Sequence, residues 1–180
     1  MNHKELTSLL IRYIFLIALV FLGLDLISYL LTPTTIYLSL QLIKLVYHNS
    51  VLLTGTQTLF VNGNYITLIS ACIAIAAYYL LIFLNLTTPM SLAARTKSLA
   101  FLILSFLILN IIRIFIFTIL FVSGYSFFDL AHEIVWYAGS TLLLVILWFA
   151  NVLLFRIKEI PIYSDIKEIL RDVKNKKKIM

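Results

Sequence analysis

The chain has 180 residues, of which 62% are hydrophobic and 12% charged, with a mean hydropathy of +1.05. Soluble domains carry about 25% charged residues, so the composition excludes a soluble globular domain and defines an integral membrane protein. The formal net charge of +6 does not point to nucleic acid, because the basic residues gather beside apolar segments and at the C-terminus.

The fold class expected is all-α integral membrane. Four transmembrane helices are joined by an interfacial amphipathic helix and a short extracytoplasmic β-hairpin between helices one and two. Residues 1–157 form a single membrane domain and 158–180 a basic cytoplasmic tail. Each predicted span approaches the roughly 20 residues that a helix needs to cross about 30 Å of hydrocarbon.

The first span runs from about Leu9 to Leu31 and ends before Thr32-Pro33. Its apolar run after Arg12 exceeds the roughly 7–15 residues of a signal-peptide core and has no clear small-residue cleavage site, so it reads as a retained helix. Between Thr34 and Tyr47, Ile36, Leu40, Ile43 and Tyr47 recur at helical spacing with Gln41 and Lys44 opposite. That pattern predicts an amphipathic helix lying in the interface, within an extracytoplasmic region of residues 32–70. Thr54-Gly55-Thr56 reads as a turn. Thr58 to Thr67 reads as a β-hairpin, with Asn62-Gly63 supplying the positive φ angles of its tight turn.

The second span begins at about Tyr65 or Ala71 and runs to Leu86, before Thr87-Thr88-Pro89; the third runs from about Ser98 to Val122; the fourth from about Ile134 to Phe155. Lys4, Arg12, Arg95, Lys97, Arg156 and Lys158 all fall on one side of this arrangement, with only Lys44 on the other. The positive-inside rule therefore places both termini in the cytoplasm and turns the hairpin, Cys72 and His132 outward. The tail ends in Lys176-Lys177-Lys178 and reads as an electrostatic anchor on anionic headgroups.

Three residues stand out against this apolar background. Cys72, the only cysteine, lies near the outer end of span two and cannot form an internal disulfide. Arg113 precedes Val122 by nine residues, about 14 Å below the outer edge of span three. His132 stands at the start of span four. Topology alone brings all three to the outer half of the membrane. A thiol, a fixed cation and a titratable imidazole are the parts of cysteine-based acyl transfer: nucleophile, oxyanion stabiliser and proton carrier.

Supporting groups are also visible. Asn110 shares a helix face with Arg113 and can orient the guanidinium or a substrate carbonyl. Asp25 is a second intramembrane charge and a candidate ion-pair partner for Arg113. Asp129, three residues before His132, can cap span four, as can Ser126, or fix the imidazole tautomer. No glycine-rich phosphate loop, zinc-spaced cluster or internal repeat is visible, so neither a cofactor nor a metal is expected.

Ser70-Ala71-Cys72-Ile73-Ala74, then Asn110-Ile111-Ile112-Arg113-Ile114, then Ala131-His132-Glu133 resemble the exosortase/archaeosortase family of membrane cysteine enzymes. That family carries an Ala-Cys motif, an Asn-x-x-Arg motif and a later His or Arg, in this order on successive transmembrane helices. The resemblance covers about Asn62 to Phe149 and is nearest to the compact archaeal branch. It implies a multi-pass enzyme of an archaeal or bacterial cell membrane. Such an enzyme is a transpeptidase or protease that processes exported proteins at a C-terminal signal made of a short motif, a hydrophobic helix and a basic cluster. It also implies transfer of the new carboxyl end to a membrane lipid, with Cys72 as nucleophile, Arg113 as orienting or oxyanion-stabilising cation and His132 as general acid/base. Family members often have a small hydroxyl residue and then glycine after the cysteine, where this chain has Ile73 and Ala74.

A protein of another class fits the same residues. In a non-enzymatic scaffold, assembly factor or transporter subunit, Arg113 would pair with Asp25 and Cys72 would be an inert small hydrophobe.

Overall fold

The computed structural model describes residues 3–157, with the side chains of the first helix at Ile14 and from Asp25 onward. The tail expected at 158–180 lies outside the described residues. The elements are α1 (His3–Lys44), β1 (Val51–Leu52), β2 (Thr58–Val61), β3 (Asn64–Thr67), α2 (Ser70–Ile73), α3 (Ile75–Thr87), α4 (Leu92–Val122), α5 (Phe128–Ile134), a π-helical segment (Val135–Gly139) and α6 (Ser140–Leu154). Among the described residues, four helical stretches are long and apolar enough to cross a membrane: Asp25–Lys44, Ser70–Thr87, Leu92–Val122 and Phe128–Leu154. The architecture is that of a mostly helical, multi-pass membrane protein.

The first prediction to change is the break at Pro33. The span expected at 9–31 and the interfacial helix expected at 34–47 are one continuous helix with Pro33 inside it. Pro33 removes the backbone donor of the Tyr29 carbonyl, and beside it the Thr34 hydroxyl donates to the next carbonyl, that of Leu30, at 2.9 Å. Hydroxyl side chains and neighbouring helices are what make proline tolerable within apolar helices. Ile36, Leu40 and Ile43 are buried in the bundle rather than laid along an interface. They pack against Leu59, Val61, Leu68, Ile73 and Ile114, so the half of α1 read as peripheral builds one of the two apolar cores.

The hairpin forms in the expected place. Thr58 pairs with Thr67 and Val61 with Asn64, and the turn residues have φ of 47° at Asn62 and 85° at Gly63. Leu59 and Val61 point inward, as the period-two alternation requires. β1 adds a third antiparallel strand, with Val51 opposite Phe60. Gly55, at φ 72°, turns the chain between β1 and β2. Two residues are too few for β1 to leave a periodic signal.

The second span starts at Ser70, not at Tyr65, which belongs to β3. It is broken at Ala74, which adopts the left-handed conformation (φ 60°, ψ 42°) and divides α2 from α3. The third span starts at Leu92, six residues before the expected Ser98, because Ser91 caps it by accepting from the Ala94 N–H at 3.4 Å. The fourth span begins at Phe128 rather than Ile134, and its N-cap is Phe127, without a side-chain cap bond. Ser126 and Asp129 therefore do not cap it.

At the end of the bundle away from the sheet, Arg95 binds the C-terminus of α3. Its Nη1 donates to the carbonyls of Asn85 and Leu86 at 2.8 Å each, and its Nη2 donates to that of Thr88 at 3.0 Å. A cation on orphan carbonyls is the expected finish for a helix C-terminus. Beside it, Asn85 Nδ2 donates to Ser98 Oγ at 2.6 Å, and Ser98 donates to Asn151 Oδ1 at 2.8 Å. This buried chain of polar groups fixes the register of α3, α4 and α6 where no water competes. Towards the opposite end Arg113 links α4 to α2 and α6.

Candidate active site

The break at Ala74 creates the first requirement of the site. A left-handed residue cannot continue the helical ladder, so the carbonyls just before it lose their i+4 donors. In α2 these include the carbonyls of Cys72 and Ile73. Two side chains of α4 take them over. Asn110 Nδ2 donates to the carbonyl of Cys72 at 3.2 Å and to that of Ile73 at 3.1 Å. Arg113 Nη2 donates to the same Cys72 carbonyl at 2.9 Å. The i, i+3 spacing of Asn110 and Arg113 puts both donors on the face of α4 that meets the break.

A second irregularity meets the guanidinium from the other side. Arg113 Nη1 donates to Ser140 Oγ at 2.8 Å, and the Ser140 hydroxyl donates to the Val135 carbonyl at 3.1 Å. Val135 and Ser140 bracket the π-helical segment, and the Ser140 N–H also donates to the Val135 carbonyl. The wider turn lets one carbonyl accept both the backbone and the hydroxyl of Ser140. Single π turns inside α-helices are frequent at functional sites.

Arg113, half-buried, thus joins a broken helix to a widened one. A guanidinium has five N–H donors in a planar fork, so these two bonds leave donors available to a third group.

Beside Arg113 lies a cavity of about 260 Å3, between the sheet, α2, α4 and α5. Cys72, Arg113 and His132 all line it. The three residues singled out in the sequence, drawn from three separate helical segments, therefore face one space. Cys72 is a free, half-buried thiol. The other walls are mainly apolar, with Phe117, Phe121, Phe128 and Trp136 among them, and Tyr65 and Thr67 reach in from the sheet.

His132 sits among aromatic rings. It stacks nearly parallel to Phe128 (5.5 Å between centroids, 8° between planes) and meets Phe117 (5.1 Å) and Trp136 (5.7 Å) edge-on. Phe128 and Trp136 precede and follow His132 by four residues, so the ring neighbours on its own helix are readable as an i±4 pattern. These contacts, rather than Asp129, set the plane of the imidazole. Asp129 is exposed in the first turn of α5 and makes no hydrogen bond to His132.

Asp25 is not the partner of Arg113. Among the described residues no carboxylate forms an ion pair with the guanidinium, whose bonds go to Ser140 and the Cys72 carbonyl. Asp25 instead lines a second cavity on the far side of Arg113. The sequence had pointed to Cys72, Asn110, Arg113 and His132. It did not point to Ser140 or to the aromatic walls, since one serine in an apolar helix carries no signal without the π turn.

Comparison of the chain with protein-family models, with curated proteins and with solved structures returns no match.

Proposed function

We propose that this protein is a membrane cysteine transpeptidase or protease of exosortase/archaeosortase type that processes C-terminal sorting signals of exported proteins. The observation that carries the reading is the single cavity onto which Cys72, Arg113 and His132 open. Ala74 adds to it. The resemblance places a glycine where this chain has alanine, and Ala74 adopts the left-handed conformation that glycine favours. The backbone turn after the cysteine is therefore present although the glycine is not.

In this mechanism His132 takes the proton of the Cys72 thiol and Sγ attacks the carbonyl carbon of the scissile peptide. The C=O π electrons move to oxygen, and the free N–H groups of Arg113 stabilise the oxyanion. Collapse breaks the C–N bond, and His132 returns the proton to the departing amine. The product is a thioester on Cys72. A hydroxyl or amine of a lipid headgroup, or water, then attacks the thioester carbonyl and gives its proton to His132. The thiolate of Cys72 leaves and is reprotonated. The aromatic walls keep bulk water from the thioester, which favours a membrane-bound acceptor over hydrolysis. With both termini in the cytoplasm, as the basic residues imply, the cavity opens at the outer face.

The test is co-expression with an exported protein bearing a motif, an apolar helix and a basic cluster at its C-terminus. Mature mass and membrane attachment are compared between wild type and Cys72→Ala. Processing by wild type alone supports the reading, and processing that survives Cys72→Ala refutes it.

A further inference from the structure

The second cavity is wider, about 670 Å3, and shares Arg113 and Trp136 with the first. It is a groove rather than a chamber. Asp25 stands on the α1 wall, Leu144 on the α6 wall, and Ala74 and Ala77 form part of the floor. Asp25, Ala76 and Leu80 along it are exposed, so it opens sideways, where lipid would be.

Two properties of this groove ask for an occupant. Its floor is made of small side chains, which let another backbone come close, as transmembrane helix interfaces require. Its wall carries a carboxylate in the middle of a 42-residue helix that continues apolar on both sides of it. Asp25 makes no hydrogen bond or ion pair with any described residue, although an ionised group among apolar helices is costly unless partnered. Arg113, the nearest candidate in sequence logic, is bound elsewhere. Among the described residues no cation pairs with Asp25, and Arg113, the one cation that also lines the groove, is already engaged by Ser140 and the Cys72 carbonyl. An aminophospholipid would carry one only at the membrane surface, whereas a helix can carry it at depth.

We propose that this groove binds a single transmembrane helix of a partner protein that carries a lysine or arginine inside its apolar run. The helix would lie along Ala74–Leu80 and set its cation against Asp25. The interaction does not depend on the chemistry of Cys72, and its test can fail or succeed independently of processing.

The experiment uses the full chain in liposomes, in a Cys72→Ser background, with Ala76→Cys as a crosslinking reporter in the groove. The probe is a synthetic leucine-alanine transmembrane peptide with one cysteine and one lysine, compared with the same peptide carrying leucine in place of lysine. Disulfide yield should favour the lysine peptide roughly tenfold, in keeping with interhelical polar contacts in membranes. Asp25→Asn should abolish the preference, and Asp25→Lys should transfer it to a glutamate peptide. A Leu153→Cys reporter on the exposed face of α6 should show no preference, and Ala77→Cys replaces Ala76→Cys if that variant does not fold. Equal yields for the lysine and leucine peptides would overturn the proposal. So would a preference that survives Asp25→Asn, or one abolished by phosphatidylethanolamine in the liposome, which would assign the carboxylate to lipid.

Discussion

Arg113 on α4 donates to the backbone carbonyl of Cys72 at 2.9 Å, so the fixed cation is tied to the main chain of the residue that carries the thiol. The bond holds the guanidinium against the main chain of Cys72. Loss of the bond is therefore expected to show in function before it shows in expression. Arg113→Lys keeps the charge but loses the planar fork and cannot hold Cys72, Ser140 and a third group together. Under the proposed function, its processing of a matched substrate should fall by about two orders of magnitude, the scale of one lost oxyanion donor. Normal turnover by Arg113→Lys would show that charge alone suffices.

Ser140 holds the guanidinium from the other side and bonds the π turn. Ser140→Ala removes a hydrogen bond to a charged group, about 1.5–3 kcal/mol. Under the proposed function, roughly tenfold or greater loss of processing is expected, with partial recovery in Ser140→Thr, which keeps the hydroxyl. The comparison of the two variants at equal membrane abundance is the measurement. If alanine and threonine behave alike, the hydroxyl has no positioning role.

Asn110 covers two carbonyls freed by the helix break. Asn110→Leu leaves the Ile73 carbonyl without this donor in an apolar interior. A stability loss of about 1–3 kcal/mol follows from stranding a buried polar group. Asn110→Asp should be no better, since a carboxylate presents an acceptor to an acceptor. Thermal unfolding in detergent reads both, and an unchanged transition in Asn110→Leu would contradict the account of the break.

Ala74 sits at φ 60°, where an L side chain is disfavoured by roughly 1–2 kcal/mol. Ala74→Gly should raise the thermal transition, with the gain reduced by the greater freedom of glycine in the unfolded chain. Ala74→Val, β-branched at a left-handed position, should lower it. If valine is tolerated as well as glycine, the left-handed turn is not present in the folded protein.

His132→Gln keeps a polar side chain of similar size but cannot cycle a proton. Under the proposed mechanism processing should drop by about 10²–10⁴. Cys72 should still be labelled by a thiol reagent, which separates lost proton transfer from a collapsed cavity. Processing at the wild-type rate in His132→Gln would remove the imidazole from the mechanism.

The sequence carried the strong periodic signals and lost the local exceptions. The hairpin was legible because Asn62-Gly63 needs positive φ and the flanking residues alternate. Cys72, Arg113 and His132 were legible as polar misfits in or beside apolar spans, and the structure lines one cavity with all three. Pro33 misled, since a proline ends a helix in water far more readily than inside an apolar bundle. Neither the break at Ala74 nor the π turn before Ser140 has a residue signature. Alanine is a strong helix former, and the conformation there is set by the tertiary contacts of α4. The pairing of Arg113 with Asp25 seemed natural by charge, but carbonyls released by backbone irregularity are also partners for a buried cation.

A cation in lipid and a helix with unpaired carbonyls are each unfavourable, and in this fold each answers the other. Straightening the chain at Ala74 would leave Arg113 with Ser140 alone, and losing Arg113 would leave the Cys72 carbonyl with Asn110 alone. Positions 74 and 113 are therefore expected to drift together or not at all. A lineage that loses the kink should lose the arginine in the same stretch of its history.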